Sequence, residues 1–512
     1  MPENLASFKV FCQGGLNTSR DVLSQGENQP GSATALINYE PAVTGGYRKI
    51  NGFANNYGTV TGTGSVLGVV VADGINDGIF ACRKPSSGNN YLHKWNNSSS
   101  AWQAITTSGS PTMVGVTKVR FSRLNFGTPK VVLTDGINPA ATYDGSTYTQ
   151  ITHSDAPTDP KFSAVFQNHL FLAGDPAHPT KLFFSAPLAE TDFTSGNGAG
   201  VINVGFPIVA IKAFRNELFI FGTTNIKKLS GTALANFVVQ TVTDDLGCLA
   251  TDSVIEIGGD LIFLSQDGLR PISGTAKIGD VNLETISKNI QSIFTDIIFD
   301  IDLEGLNAVV IRQKTQFRYF FAGSDTQGII GGFRQTPNGL QFEYSQMLGI
   351  TATCADSGFI GQNEIVIHGT SDGKVQQQES GNSFGGDPIF SIFQTPFFHM
   401  QDPEQRKIFY NVATYLRSEG DNNIVMSAVY DYEDVDTLNP TNFNLSTAGA
   451  AAFFNEATYN STAIFDGNPS PVQRINISGS GKSASLKFVT NDTNASHSVQ
   501  GLVITFGVGD RL

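Results

Sequence analysis

Residues 208–230, IVAIKAFRNELFIFGTTNIKKLS, decide how the rest of the chain is read. Ile208, Ala210 and Lys212 alternate up to a break at Arg215-Asn216. Leu218 to Phe221 then form a short apolar run that Gly222 ends, and Ile226 and Leu229 resume after Asn225. Period-two alternation punctuated by tight-turn residues predicts strand, turn, strand, turn, strand.

Units of the same kind lie on both sides, at 169–187, 260–274, 318–333 and 364–378. Aligning Leu170, Leu218, Leu261, Tyr319 and Val366 gives steps of 48, 43, 58 and 47 residues. That spacing is the period of a four-stranded propeller blade rather than of a helical repeat. Upstream, VVVADGIN (69–76) returns as KVVLTDGIN (130–138), each followed by an aromatic hairpin in which Trp95 matches Tyr143 and Trp102 matches Tyr148. The fold expected is mainly β: a β-propeller of six or seven blades over 51–390. One amphipathic helix near 282–298 interrupts it, with Ile286, Ile290, Ile293, Phe294 and Ile297 on one face and docked on the propeller wall.

The flanks read differently. Residues 1–50 have little apolar periodicity and many Gly, Asn and Ser, so they are expected to form an extended N-terminal arm with no core of its own, running over another surface. From 391 the blade rhythm stops. Alternation at Ile408, Tyr410 and Val412 and at Leu502, Ile504 and Phe506 predicts a separate C-terminal β-sandwich over 391–512, with long polar loops between 436 and 470.

A length of 512 residues with 40% hydrophobic and 15% charged residues predicts an ordered protein of two or three domains. The net charge of −13 disfavours a phosphate-gripping surface, and no basic run stands out. No apolar run approaches the length of a membrane span or signal peptide, so synthesis in a cytoplasm is expected. Cys12, Cys82, Cys248 and Cys354 show no metal or disulfide spacing and read as buried free thiols.

Candidate chemistry is sparse. Gly479-Ser480-Gly481-Lys482-Ser483 ends like a phosphate loop, but Asn476 replaces its first glycine and a strand follows. Asp431, Glu433, Asp434 and Asp436 lack the central glycine of a calcium loop, and the seven histidines include no HxH or HExxH pair. No catalytic, cofactor-binding or metal residue is assigned. A propeller glycosidase stays open, because its two carboxylates could come from distant blades and meet in one pocket.

The arm SATALINYEPAVTGGYRKINGF, the unit KLFFSAPLAETDF, the stretch DDLGCLATDSVIEIGGDLIFLSQDGLRPIS leading to ISKNIQ, and the ending SVQGLVITFGVGDR resemble tail hub, or nozzle, proteins of short-tailed bacteriophages. The resemblance implies a structural virion protein, not an enzyme, located in the tail. It would form a homohexameric ring below the portal and adaptor, continue the DNA channel, and carry fibres or spikes and a plug or needle. Duplex DNA would be met only in transit, and no cofactor is implied. The matching positions carry assembly roles: Gly14, Gly15, Asn38, Glu40, Pro41, Gly45 and Gly46 in the arm, and Gly247 and Cys248 in a turn before a blade. Two other readings remain: a carbohydrate-binding or glycan-hydrolysing propeller, and a baseplate or head-closure protein of a long-tailed phage.

Overall fold

The computed structural model describes residues 5–105, 113–275, 285–300, 303–321, 327–336, 339–400, 402–434, 437–446 and 472–508. The protein is mainly β, built from many small sheets. The quoted stretch forms three strands, Ala210–Phe214, Glu217–Phe221 and Ile226–Ser230, with Arg215 and Asn216 at positive φ in the first turn. Alternation buries Leu218, Ile220 and Leu229 on one side of this sheet and Phe219, Phe221 and Ile226 on the other, so both faces are packed.

Seven sheets follow one another along the chain, antiparallel except where Ala35–Ile37 pairs parallel with Gly339–Met347 in the sixth. Their first strands are Thr63–Val71, Arg120–Asn125, Phe162–Phe166, Ala210–Phe214, Ile255–Ile257, Asn307–Ile311 and Cys354–Ile360, and we number the sheets one to seven in that order. Residues from every one of these first strands line a single cavity, so the sheets stand around a common centre. Leu170, Leu218, Leu261, Tyr319 and Val366 all fall in the second strand of their sheets, three to seven. The upstream repeat is out of phase with this order. VVVADGIN closes the first strand of sheet one, whereas KVVLTDGIN closes the second strand of sheet two; the true counterpart of the latter is Ile79–Lys84. An apolar strand ending in an Asp-Gly turn is the same local solution wherever it falls in a sheet. The two aromatic hairpins are equivalent, with Trp95 opposite Trp102 and Tyr143 opposite Tyr148.

Two sheets borrow from the first residues of the chain. Sheet seven takes its fourth strand from Phe53–Ala54, with Ala54 opposite Gln377. Sheet six continues past Gly339–Met347 through Ala35–Ile37 into Ile389–Gln394, Ala484–Asp492, Asn423–Tyr430 and Phe443–Ser446, making nine strands in all. A second sheet holds Tyr39–Pro41, Tyr47–Lys49, His497–Val508, Lys407–Ser418 and Val472–Gly481. Leu5–Phe11 also pairs with His497–Val508, placing Leu5 opposite Gly507. These sheets share one core, in which Leu36, Phe393, Phe409, Val412, Ile424, Met426, Phe488 and Ile504 are buried and Phe409 stacks on Tyr430 at 4.9 Å. Each such side chain contributes about 1.5–3 kcal/mol on burial.

The first 50 residues run over the rest of the chain and enter a core shared with it, but they are not wholly extended. They include the helix Val22–Asn28, capped by the Asp21 carboxylate, and bury Val10, Cys12, Leu16, Ala33, Leu36, Tyr39 and Tyr47 within their own chain. The residues from 391 onward are likewise not separate in hydrogen bonding, because Ala35–Ile37 joins them to sheet six. The interrupting helix spans Gln291–Asp300 after a turn at Lys288–Ile290, starting later than its apolar spacing predicts; residues 276–284 lie outside the described ones. Its Ile290, Phe294 and Ile297 face the core that holds Val10 and Leu16. Thr18 holds it by donating its N–H to the Asn289 carbonyl at 2.8 Å. Most of the expected polar loop at 436–470 also lies outside the described residues. Among the described residues no helix is long and apolar enough to cross a membrane.

Candidate functional site

The arm positions singled out in the sequence converge on the junction between sheets six and seven and the C-terminal sheets. Asn38, fully buried at positive φ, donates from its amide to the Leu348 and Phe390 carbonyls, both at 2.8 Å, and accepts the Leu348 N–H at 2.9 Å. It thus ties the end of sheet six to the strand beyond it. Gly14 donates to Glu343 at 2.7 Å and Gly15 to the Tyr47 hydroxyl at 3.0 Å. Pro41 lies against Gly332 of sheet six. Gly45 and Gly46 make the turn after Pro41, and a Cβ on Gly46 would meet the Val499 carbonyl oxygen at 2.2 Å, so a close approach and a positive φ both require glycine there.

Glu40 sits at the centre of a buried ion network. Its Oε1 accepts from Arg48 at 3.0 Å and Lys314 at 2.7 Å, its Oε2 accepts from Gln316 at 3.2 Å, and Arg318 lies 3.6 Å away. Arg48 reaches on to Glu419 of the C-terminal sheet, while Lys314 and Arg318 pair with Glu379 at the end of sheet seven. Burial would raise the Glu379 carboxyl, but Arg318 and Lys314 outweigh it and hold it well below the usual carboxylate range. The network joins four regions of the chain, and each charge in it has a partner.

Gly247 and Cys248 lie apart from this junction, between sheets four and five. A Cβ on Gly247 would meet the Gly222 carbonyl oxygen at 2.2 Å, and the Cys248 N–H donates to that same carbonyl at 2.8 Å. All four cysteines are free and buried. Burial pushes the Cys248 thiol up to about 11 and that of Cys354 up to about 12, and raises Cys12 and Cys82 as well, so these thiols are unreactive.

The remaining motifs resolve into structure. At the phosphate-loop-like segment the Lys482 and Ser483 N–H groups both donate to Asp431 Oδ1, at 2.6 and 3.0 Å, so the amides that a phosphate would need are occupied. Asp431 is thereby the organiser of a turn, and Asp436 lies outside the described residues. Among the described residues no group of three or more His, Cys, Asp or Glu is placed to hold a metal. The hairpin residues Trp95, Trp102 and Tyr143 are buried, with Trp95 edge-on to Trp102 at 5.5 Å and to Tyr57 at 5.3 Å, so they pack between sheets and offer no glycan platform.

A site that the sequence reading missed lies at the common centre of the seven sheets. The cavity has a volume of about 460 Å³ and is lined by five cations, Lys118, Arg120, Arg123, Lys212 and Arg312, and three carboxylates, Asp252, Glu256 and Asp356. Arg120 grips Asp252 with both nitrogens, at 3.0 and 2.9 Å, and Lys118 reaches the same carboxylate at 2.7 Å. These cations outweigh burial and hold Asp252 below its usual range. Burial pushes the Asp356 carboxyl up, and its partner Arg123 offsets this only in part. Lys212 is partly exposed at the cavity, and desolvation lowers its amine despite the opposing fields of Glu256 and Asp356. These residues are dispersed along the sequence. What unites them is their place in the strand, or the turn beside it, that precedes each aligned second strand; polar residues in such an otherwise apolar strand are the signal that could have found them.

No protein-family model matches the chain, and no curated protein matches it. Among solved structures it is similar to the extracellular domain of a one-component system from B. thetaiotaomicron, with 12% identity, 65% of this chain and 40% of that chain covered, and a TM-score of 0.39. An ancestral GH74 enzyme is 11% identical over 72% of this chain and 52% of its own, with a TM-score of 0.39. Hsv2p of Kluyveromyces lactis is 10% identical over 52% of this chain and 83% of its own, with a TM-score of 0.28. The chain spans less than half of the first of these and about half of the second, and likeness at this level carries no argument about chemistry.

Proposed function

We propose that the seven sheets are the blades of a seven-bladed β-propeller fused to a β-sandwich, and that the chain is a structural tail hub protein of a short-tailed phage. In this reading it acts by assembly and not by catalysis. The observation that carries it is the junction: six of the nine positions matched by the resemblance, Gly14, Gly15, Asn38, Glu40, Pro41 and Gly46, meet where the arm fastens the propeller to the sandwich. A fastening of this kind suits a wall that must keep its shape under load. The partners would be further copies of the chain in a six-fold ring, a portal and adaptor above, and fibre or spike and plug or needle proteins below. DNA would pass without being held, since a net charge of −13 opposes phosphate contact.

The test is assembly of the purified full chain, alone and with a portal–adaptor complex, followed by electron microscopy. A six-fold ring is expected in at least one setting, and a lasting monomer in both would sink the reading. Negative-stain images of particles carrying the protein would separate a short tail from the baseplate or neck of a long-tailed phage.

A second reading, a glycan-directed propeller, draws on the central cavity alone. There Asp252 and Asp356 have their protonation pushed in opposite directions within one polar site, the arrangement an acid and base pair requires. Against it, Asp252 is already occupied by Arg120 and Lys118. A glycan array with a hydrolysis screen decides it: turnover that Asp356→Asn abolishes would replace the tail-hub reading.

A further inference from the structure

We infer that the open edge of the strand Leu5–Phe11 takes an extended, acidic segment of a partner protein as a further strand of the C-terminal sheet. The inference stands independently of the tail-hub reading.

The strand is seven residues long and pairs on one side only, with His497–Val508. Just past it, in the same register, the Cys12 N–H donates to the Gln500 carbonyl at 3.1 Å. Hydrogen-bonded and non-bonded pairs alternate along an antiparallel ladder, so Ala6, Phe8 and Val10 exchange bonds with His497–Val508. The N–H and C=O groups of Leu5, Ser7 and Lys9 therefore point the other way, and no described residue bonds them. Beyond Lys9 the edge is closed, since a Cβ on Gly31 would collide with the Phe11 carbonyl oxygen. An unbonded edge with exposed apolar side chains, free of proline, is a template for another strand.

The face beside this edge says what the partner carries. Leu5, Ser7, Lys9 and Phe11 leave the sheet on its outer side, with Leu5 61% and Phe11 70% exposed, while Val10 turns into the core. One row across the sheet reads Lys9, Val503, Ala413, Arg474, and Arg417 is exposed further along its strand. The strands Leu5–Phe11, Lys407–Ser418, Val472–Gly481 and His497–Val508 contain no Asp or Glu, in a chain of net charge −13. Among the described residues Lys9, Arg417 and Arg474 form no ion pair. Such a face repels a second copy of the same edge and attracts carboxylates. A lipid surface or a nucleic acid would answer the charge and leave the edge amides and carbonyls unbonded, whereas an extended peptide answers both.

Register narrows the segment. A strand added antiparallel would set an acid opposite Lys9 and, four residues later, an apolar side chain opposite Leu5. The pattern is Asp or Glu, three residues of any kind, then Val, Ile or Leu.

The experiment is titration of the full chain into the fluorescently labelled peptide TVTETTTVT at low ionic strength, read as anisotropy, with TVTKTTTVT as the charge-reversed control. Saturable binding of the acidic peptide is expected, and binding of the control should be about tenfold weaker or less. Lys9→Glu, at an exposed side chain, should exchange the preference between the two peptides. Ser7→Pro removes an N–H that faces the open edge and none that bonds His497–Val508, a place where an edge strand tolerates proline; it should abolish binding of both peptides while leaving the melting transition in place. The proposal is overturned if the acidic peptide does not saturate up to about one millimolar, or if Lys9→Glu leaves the preference as it was. It is equally overturned if a folded Ser7→Pro chain binds as the unaltered one does, or if anionic vesicles or duplex DNA bind this face and the peptide does not.

Discussion

The junction and the central cavity both gather charge, and they do so in opposite ways: the junction buries it, whereas the cavity leaves it partly or fully exposed. At the junction Glu40, Arg48, Lys314, Arg318, Glu379 and Glu419 satisfy one another, and the acids and bases come from four distant parts of the chain. In the cavity the charges come from strands with the same place in successive sheets, and Lys212 is left over. Paired charge fixes the relative position of elements; unpaired charge facing a void is available to something that arrives from outside.

The sharpest way to break this distinction is Arg318→Ala. Arg318 is fully buried between Glu379 and Glu40, so its loss should remove one cation from each, leaving Lys314 to serve both with Arg48 on Glu40 alone, and cost about 3–5 kcal/mol, read as a fall in the denaturation midpoint. An equal loss for Lys212→Met would erase the contrast between the two regions.

Acid should attack the junction next. His497 accepts from the Tyr39 hydroxyl and donates to Asn422, and burial first, then Lys49 and Arg48, lowers it to about 3; burial likewise lowers His368, in sheet seven, to about 4. A histidine whose folded-state value lies below its unfolded value of about 6.5 adds nothing to the slope above that pH, and its contribution is lost as pH falls below it. Stability should therefore decline from about pH 6.5 toward 4, by on the order of 3 kcal/mol per histidine at full development. Below about pH 4.5 the protonation of Glu379 should add to the loss, since that carboxyl is depressed by its cations. Denaturation midpoints measured across this range check the sign, and a flat profile would show that the junction is not as closed to protons as its geometry implies.

Gly46→Ala should cost about 1–3 kcal/mol, through a left-handed backbone and the collision with the Val499 carbonyl. Gly45→Ala, at a similar φ but with open space around it, should cost less, and the difference between the two isolates the close approach at the junction. Smallest is the effect at the cysteines. Thiol reagents should label none of the four in the native chain within the time that labels all of them in denaturant, and rapid native labelling of Cys248 would show that the contact between sheets four and five opens.

Local features of the fold were legible before the structure. Alternation around Leu218 and the Asn and Gly turn residues marked second strands correctly, because a hairpin's register is set within a few residues. What was not legible depends on partners far away in sequence. Nothing near Leu5 announces Gly507, and nothing near Ala35 announces that it stands between Gln346-bearing and Gln394-bearing strands, so a segment weak in periodicity was read as an arm over some other surface without showing which strands it joins. The VVVADGIN repeat misled for the complementary reason, since its pattern describes a strand and turn but not the strand's rank within a sheet. At the candidate site, Glu40 was found through a motif, whereas Lys212 was passed over inside an alternating strand.

The closure of sheet seven by Phe53–Ala54 sets a timetable for folding. The partner strand Val375–Gln378 leaves the ribosome only after most of the chain has been made, and the partner of Leu5–Phe11 comes at its far end. Until then these early strands have open edges and exposed apolar faces, the condition under which nascent chains pair wrongly with one another. Contacts of such long sequence separation also make the last step slow. A chaperone that shields the first 54 residues, or slow synthesis at low temperature, should therefore raise the yield of native protein more than any change in the middle sheets, whose hairpins can form as soon as they emerge.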